Sequence, residues 1–274
     1  MIKTRLYADV RNNVESGINT ILIGPTGSTK TASAALAMRD MIDDGKLDAM
    51  HIVQITPGVE DIDLVTKLLL DGKGGVKEIK GPLRLAFDDA AAGKRVGVII
   101  DEINRGEPTT TNILITAIDR VHGAYRLSDF VVGETIVVPL DRLVFVATAN
   151  IGSAYHGTSR IDEALMDRFG SVIYVDYDLG LEKQLAGEYQ FAVEVGRAVR
   201  AAYKGGKISA PFSTRQLINW IDAIKSIGKK PSKKQVIEAA HRTWVYRVVG
   251  TDGFGLPDSN ELQVISGILR NIEV

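Results

Sequence analysis

A stretch near the start of the chain, G-P-T-G-S-T-K-T at positions 24–31, constrains the fold most strongly. It follows an apolar run, Ile21–Ile23, and precedes a helical pattern, T-A-S-A-A-L-A-M. A loop of this kind between a strand and a helix matches the phosphate-binding pattern G-x-x-x-x-G-K-[ST] at all required positions but one, because Thr29 replaces the second glycine. The stretch predicts a parallel α/β sheet with a phosphate site after its first strand.

The loop residues have distinct expected roles. Backbone N–H groups of the segment are expected to wrap phosphates, and its members are Gly24, Pro25, Thr26, Gly27, Ser28 and Thr29. The Lys30 ammonium is expected to reach the β- and γ-phosphates, and the Thr31 hydroxyl to bind Mg²⁺. Because a β-branched residue is strained at positive φ, we predict a negative φ at Thr29, with positive φ at Gly24 or Gly27 instead. The alternative is a glycine-rich turn with a chance Lys-Thr.

The rest of the chain divides into two patterns. Short apolar runs alternate with helical patterns at first, which is typical of a parallel sheet with crossover helices. The runs are Ile21–Ile23, His51–Ile55, Val96–Ile100, Leu143–Ala149 and Val172–Val175. Residues 73–83 and 123–140 interrupt the alternation and predict two hairpins. After about residue 180 the pattern is helical, so we expect an α/β domain over 1–180 and a helical domain over 181–274.

Capping signals mark several of the helices. Threonines after Pro108 are expected to cap one helix, and Ser213 with Thr214 to cap another. Ser232 is expected to start a further helix that runs to Gly250. The helix after Ser213 is expected to bury four aliphatic residues, Leu217, Ile218, Ile221 and Ile224.

Polar residues end two of the apolar runs. Asp101 and Glu102 follow Val96–Ile100, and Asn150 follows Leu143–Ala149. In a phosphate-loop enzyme an acid at this place holds the Mg²⁺ shell, which is the role expected for Asp101. The adjacent Glu102 can orient and deprotonate an attacking water. Asn150 can fix that water if its strand lies between the other two; the alternatives are solvated loop carboxylates and a turn asparagine.

Three arginines are candidates for contact with the phosphates. Arg168, in D-R-F, follows a short helical stretch, where a cation in ring ATPases points into the neighbouring subunit's site. Arg160 is a second candidate for that role. Arg215, in S-T-R, is expected to contact the γ-phosphate from the helical domain. Each of them could instead be a surface arginine.

Composition excludes several other chemistries. The chain has 274 residues and no cysteine, so disulfides and thiol catalysis are excluded, and its four histidines lack metal-ligand spacing. The net charge is −1, which argues against general nucleic-acid binding, although residues 181–274 carry 14 Lys and Arg against 9 Asp and Glu. Neither a signal peptide nor a membrane span is evident, so we expect a cytoplasmic protein.

The order of these motifs resembles that of the AAA+ ATPases of the MoxR branch, from about Asn19 to the C-terminal helices. The residues that carry the resemblance are GPTGSTKT, IIDEINR, ATAN, DRF and STR, together with GPLRLAF at 81–87 and the two hairpins. The resemblance implies a five-stranded parallel P-loop NTPase sheet with a C-terminal all-helical lid. It also implies a hexameric ring that binds ATP and Mg²⁺ between subunits, with both hairpins facing the pore.

The resemblance also implies roles for individual residues. Lys30 and Thr31 correspond to the Walker A pair, Asp101 and Glu102 to the Walker B pair, and Asn150 to sensor 1.

The resemblance also implies roles for two of the arginines: Arg168 corresponds to the arginine finger and Arg215 to sensor 2. The segment AYHGTSRIDEALMDRF is similar to the ATPase subunit of aerobic cobaltochelatase, but Phe169 stands where Trp is expected and the part around Ile151–Ser153 is shorter. STRQLI is instead similar to the branch that activates Rubisco or nitric oxide reductase, so the subgroup stays open.

Three functions are compatible with these features. The first is an ATP-driven remodelling chaperone that acts on a protein client with a von Willebrand factor A domain partner, in metal insertion or complex maturation. The second is a nucleic-acid motor, because IIDEINRG also resembles the McrB-like restriction GTPases; the few basic residues in the hairpins disfavour it. The third is a nucleotide-gated scaffold with little turnover, which the presence of Glu102 disfavours.

Overall fold

The computed structural model describes residues 2–70, 72, 74–150, 161–228 and 230–273. The strands are β1 Thr20–Gly24, β2 Ala49–Gln54, β3 Thr66–Leu70, β4 Val76–Lys80, β5 Val96–Asp101, β6 Ala124–Asp129, β7 Glu134–Pro139, β8 Leu143–Asn150 and β9 Ser171–Tyr174. The α-helices are α1 Arg5–Glu15, α2 Lys30–Asp43, α3 Asp61–Leu64, α4 Pro82–Ala91, α5 Pro108–Ile118, α6 Glu163–Met166, α7 Leu179–Ala186, α8 Gln190–Lys204, α9 Thr214–Lys225, α10 Lys233–Ala240, α11 Tyr246–Val248 and α12 Ser259–Arg270. A 3₁₀ turn covers Ile103–Arg105, and a π-helix covers His241–Val245.

Five of the strands form a parallel sheet in the order β2-β5-β8-β1-β9. Each predicted apolar run contributes one strand to it, so the predicted five-stranded parallel sheet is confirmed. In the strand register, Gly24 lies beside Asn150 and Gln54 lies beside Asp101. Strand β8 therefore separates β1 from β5, and the polar ends of these strands meet at one edge of the sheet.

Helices bury both faces of this sheet. Because successive strand residues point to opposite faces, Ile21 and Ile23 pack in one cluster with α4 and α5, whereas Leu22 packs in another with α1 and α2. All eight residues of β8 are buried. Burial of each large aliphatic side chain contributes about 1.5–3 kcal/mol, so the strands that carry the polar edge are held by well-packed apolar clusters on both faces.

Two antiparallel hairpins extend from the sheet layer. The second, β6–β7, lies within the predicted range 123–140. The first is β3–β4, over residues 66–80, so its predicted range of 73–83 was wrong at both ends. Within the predicted range, Val76–Lys80 forms the second strand, and Gly81 is already the N-cap of α4 with Pro82 in its first turn. The prediction placed the hairpin at the glycine-rich stretch and so missed its first strand, Thr66–Leu70, in which Leu68–Leu70 are exposed.

The helix signals were right about some ends and wrong about others. Ser213 caps α9 through the N–H of Gln216, and Ser232 caps α10, as predicted. The N-cap of α5 is Glu107 rather than a threonine, because Pro108 lacks an N–H and suits the first helical position.

The buried face of α9 also differs from the prediction at one position. The face with the spacing i, i+3, i+4, i+7 consists of Leu217, Trp220, Ile221 and Ile224. Ile218 lies off this face and is partly exposed, so its predicted burial was wrong. The single helix predicted from Ser232 to Gly250 is interrupted by the π-helix, in which the buried Trp244 packs against Phe212 and Trp220.

Residue contacts divide the chain into two units. The first comprises Met1–Gly24 and Lys30–Val175, and the second comprises Pro25–Thr29 and Asp176–Val274. The second unit has an apolar core of its own, in which tryptophan and phenylalanine rings meet edge to face. Among the described helices, none has both the length and the hydropathy of a membrane span.

Candidate functional site

The predicted phosphate loop joins β1 to α2. Gly27 has a positive φ of 72°, as predicted, and Gly24 does not. Thr29 has a φ of 65°, so the predicted negative φ at Thr29 was wrong. The backbone just before the helix takes the left-handed conformation that the pattern's glycine normally supplies, although this costs a β-branched residue roughly 1–3 kcal/mol. The loop geometry therefore outweighs the side-chain preference at this position.

The five residues Pro25–Thr29 pack with the second unit. A Cβ added to Gly27 would lie 2.7 Å from the Cβ of Ser213 and 3.6 Å from that of Arg215. The Tyr177 hydroxyl donates to the carbonyl of Thr26 at 3.2 Å. Arg215, in the first turn of α9, is thus an exposed cation beside the loop, and no side chain fits at Gly27.

Lys30 lies in the first turn of α2 with only 5% of its surface exposed. Its Nζ donates to the carbonyl oxygen of Gly24 at 2.9 Å and to Oδ1 of Asn150 at 3.1 Å. A buried ammonium is costly unless it is hydrogen-bonded, so these acceptors hold it at the carboxyl end of β1. The structure brings together Lys30 and Asn150, which are 120 positions apart in the sequence.

Asp101, at the end of β5, accepts hydrogen bonds from two hydroxyl groups on neighbouring elements. Thr31 Oγ1 donates to its Oδ1 at 2.5 Å, and Thr148 Oγ1 donates to the same oxygen at 2.6 Å. Thr31 and Asp101, the two predicted metal ligands, are therefore in direct contact. A carboxylate beside a hydroxyl offers the hard oxygen donors that Mg²⁺ takes in proteins, so this pair fits that ion.

Glu102 has a left-handed backbone, with φ 58° and ψ 43°, and its N–H donates to Thr148 Oγ1 at 3.0 Å. Its carboxylate accepts from Asn150 Nδ2 at 2.9 Å and from Arg105 Nη1 at 2.7 Å. The Asn150 amide therefore bridges the two charged groups, with its oxygen toward Lys30 and its nitrogen toward Glu102.

Sequence reasoning missed three residues of this cluster: Asn104, Arg105 and Thr148. Asn104 hydrogen-bonds the backbone of Asn150, and Arg105 pairs with Glu102. Thr148 precedes Asn150 by two positions on a strand, and this period places both side chains on the same face. That spacing was the one available signal, since the partners of Asn104 and Arg105 depend on how the chain turns after β5.

Arg168 lies outside this cluster. Its Nη1 donates to the carbonyl of Ala164 at 2.6 Å, and its Nη2 lies 3.3 Å from Oδ2 of Asp119. Its Nε is buried without a hydrogen-bond partner in the part of the chain that the structure describes. The guanidinium borders a cavity of about 330 Å³ lined also by Arg120 and Asp167. Arg160, the other candidate, lies outside the described residues.

The sequence model for the AAA domain of the dynein-related subfamily matches residues 19–169, which is more than half of the chain. Subunit CobS of the aerobic cobaltochelatase of a Sinorhizobium species is 28% identical over 193 residues, covering 62% of this chain and 55% of CobS. The chain thus spans about half the length of this relative.

A crystal structure of a protein from Cytophaga hutchinsonii aligns over 98% of this chain and 88% of that one, with 19% identity and a TM-score of 0.45. The match to the domain model includes both the phosphate loop and the strand ends described above. The prediction that this chain is an AAA+ ATPase is confirmed, and the chain belongs to the dynein-related subfamily of the AAA domain family of ATPases.

Proposed function

We propose that this chain binds ATP with Mg²⁺ and hydrolyses it as a ring-forming remodelling ATPase of the MoxR type. The observation that carries the proposal is the hydrogen-bonded row from Lys30 through Asn150 to Glu102 at the end of the sheet. This row combines a phosphate-binding cation, a polar amide and a carboxylate base within one set of contacts, which is what hydrolysis of a phosphoanhydride requires.

Binding of the nucleotide falls to the loop and the start of α2. The N–H groups of residues 24–29 and the positive end of the helix dipole attract phosphate oxygens. Lys30 is already held at the end of β1, so it contacts the phosphates with little reorganisation. Arg215 lies beside Gly27 and is the candidate for sensing the γ-phosphate.

Thr31 and Asp101 would hold the magnesium ion, which supplies positive charge against the phosphate oxygens. Asp101 is fixed for this role by Thr148, whose hydroxyl donates to it from the neighbouring strand.

Glu102 is the candidate general base, and Asn150 is the candidate for fixing the attacking water. A carboxylate can take a proton from water only when a lone pair faces it. Asn150 and Arg105 both donate to the carboxylate of Glu102. If a water displaced one of these two donors, the other donor would still orient the Glu102 carboxylate, and the water would lie within its reach.

Arg168 is the candidate for a cation supplied to the neighbouring subunit. It is held by one carboxylate and one carbonyl through Nη2 and Nη1, and each of these nitrogens carries a second N–H, so its guanidinium retains capacity to donate. In ring NTPases such a cation neutralises charge that develops in the transition state. The hexamer, with sites shared between subunits, belongs to this proposal.

The wider role is a chaperone or activase, in the cytoplasm, that acts on a protein client with a von Willebrand factor A domain partner, in metal insertion or complex maturation. The similarity to a cobaltochelatase subunit supports metal insertion as one such role. Exposed apolar residues on the hairpins, Leu70 at 81% and Phe130 at 87% of their surface, are consistent with contact to a protein client.

The direct test is phosphate release from Mg·ATP by wild-type protein and by Glu102→Gln. We expect the variant to bind nucleotide normally while its kcat falls by about 10²–10⁴, the usual contribution of a general base. Glu107→Gln, which alters an exposed acid five positions further on, serves as the matched control and should retain wild-type activity. Equal turnover in wild type and Glu102→Gln would contradict the proposal.

The ring is tested by mixing two inactive variants, Glu102→Gln and Arg168→Ala. If each site combines Glu102 of one subunit with Arg168 of the next, about a quarter of the sites in a randomly mixed ring are intact, and activity returns. A mixture that stays inactive, or an Arg168→Ala variant with full activity, would exclude Arg168 as the shared cation.

A further inference from the structure

Strand β5 leaves the sheet before its neighbour β8 ends. The last paired residues of the two strands are Ile100 and Ala147, and β8 continues for three residues to Asn150. The chain after β5 turns away at Glu102, whose backbone is left-handed. The backbone of Asn150 therefore needs other partners on the side that faces β5, because buried N–H and C=O groups are costly without hydrogen bonds.

The side chain of Asn104 supplies both partners. Its Nδ2 donates to the carbonyl oxygen of Asn150 at 2.8 Å, and its Oδ1 accepts from the N–H of Asn150 at 3.2 Å. Asn104 lies in the 3₁₀ turn after β5 and is 6% exposed. Its amide thus acts as a substitute for the peptide group of a strand residue and supplies one further pair of hydrogen bonds beyond the end of the ladder.

From this geometry we propose that Asn104 is the positioning residue for Asn150, an inference that rests on the proposed role of Asn150 in hydrolysis. On its other side Asn150 lies in register with Gly24 of β1, so the Asn104 contact completes its neighbours at both edges. With the backbone fixed, the Asn150 side chain reaches Lys30 and Glu102 at once. Asn104 acts through Asn150 and has no contact of its own with the phosphates in this role.

The chemistry at position 104 is specific. Only a primary amide offers a donor and an acceptor side by side in one plane, as a peptide group does. Aspartate would retain the acceptor for the Asn150 N–H but would oppose the Asn150 carbonyl with a second acceptor. Alanine would leave both backbone groups without these partners.

The test compares Asn104→Ala, Asn150→Ala and the double variant, using wild-type protein as reference. For each we would measure kcat for ATP and the affinity for a fluorescent ATP analogue with Mg²⁺. We expect Asn104→Ala to lower kcat at least about 10-fold while the affinity changes less than about threefold, because the phosphate loop is untouched. The double variant should be no slower than Asn150→Ala, since both changes remove the same function.

A second measurement does not depend on turnover. Hydrogen exchange of the Asn150 N–H should accelerate at least about 10-fold in nucleotide-free Asn104→Ala, whereas Val146 in the middle of β8 keeps its protection. If Asn104→Ala does not fold, Asn104→Asp replaces it and should show the same loss of kcat.

The outcomes separate the two proposals. A wild type without ATPase activity contradicts the proposed function, and the exchange of the Asn150 N–H then decides the role of Asn104. An active wild type with unchanged kcat or unchanged exchange in Asn104→Ala contradicts the positioning role alone. The positioning role would also be overturned if the losses of kcat in the two single variants multiplied in the double variant, because Asn104 would then act independently of Asn150.

Discussion

Two clusters of charged side chains in the first unit are built in opposite ways. In the hairpin cluster, the buried Arg84 donates to three carboxylates: to Asp88 at 3.0 Å, to Glu134 at 2.6 Å, and to Asp129. At the sheet edge, Asp101 accepts from two hydroxyl groups, and no cation pairs with it among the described residues. The first cluster is complete in itself, whereas the second contains a carboxylate that still lacks a positive partner.

The difference separates stability from ligand binding. Arg84 ties α4 to the second hairpin, and Thr66 of the first hairpin donates to the same Asp129 at 2.6 Å. Breaking one partner of a buried ion pair leaves an uncompensated charge, so this cluster contributes to the fold. At the sheet edge, hydroxyl groups of Thr31 and Thr148 hold Asp101, and a metal ion bound there would supply the positive partner that Asp101 lacks.

The largest effect that tests this contrast is expected for Asp101→Asn. The change removes the proposed metal ligand while preserving size, so ATP hydrolysis should fall about 100-fold or more, since metal stabilisation of the transition state is worth several kcal/mol. The melting temperature without nucleotide should stay within a few degrees of wild type. The activity and a thermal melt measure the two quantities separately, and a variant that is active but unstable would reverse the assignment.

The complementary change is Arg84→Met, which removes the cation of the hairpin cluster. We expect the free energy of unfolding in urea to fall by about 3–5 kcal/mol, because three carboxylates lose a shared buried partner. Lys67→Met is the matched control, since Lys67 pairs with Asp63 at 2.8 Å near the surface and should contribute less than about 1 kcal/mol. If Arg84→Met and Lys67→Met lost equal free energy of unfolding, burial of the hairpin cluster would contribute nothing to stability.

The pH dependence of stability sharpens the same point. Burial opposes ionisation of Asp129, but the donors Thr66 and Arg84 and two backbone N–H groups outweigh it and hold the pKa of Asp129 below its ordinary value. Stability from this group is therefore fully present above the unfolded pKa of about 3.9 and is lost as pH falls through the lower, folded pKa.

Thr66→Val removes one of these donors and should weaken the protein by about 1 kcal/mol at neutral pH. Because the folded pKa of Asp129 rises in the variant, the deficit relative to wild type should shrink as the pH is lowered. Urea titrations at several pH values measure this. A deficit that is the same at every pH would place the effect of Thr66 elsewhere than on Asp129.

These contrasts also show what a sequence can reveal. The short apolar runs predicted the sheet, because strands that are buried on both faces are continuously apolar in the sequence. Some contacts of Asp101 and Glu102 could also be predicted, because the ends of the parallel strands that carry them and Asn150 meet at one edge of the sheet. The role of Asn104 could not be predicted, because it depends on the left-handed turn at Glu102. The hairpin at 66–80 was misplaced because its predicted range followed the glycine-rich stretch, whereas its first strand, with exposed Leu68–Leu70, comes before that stretch.

The smallest expected effect concerns Thr29, where a residue preference gave the wrong φ. Its left-handed backbone stores strain within the site, and glycine would relieve it. Glycine also gains entropy in the unfolded chain, worth about 0.4–1 kcal/mol, which offsets part of the relieved strain, so Thr29→Gly should stabilise the protein by roughly 1 kcal/mol. Thr26→Gly, at a position without positive φ, should instead destabilise it by a similar amount. Urea unfolding of both variants measures this pair. If Thr29→Gly destabilised the protein as much as Thr26→Gly, the loop would not be strained, and the departure from the glycine pattern would carry no energetic cost.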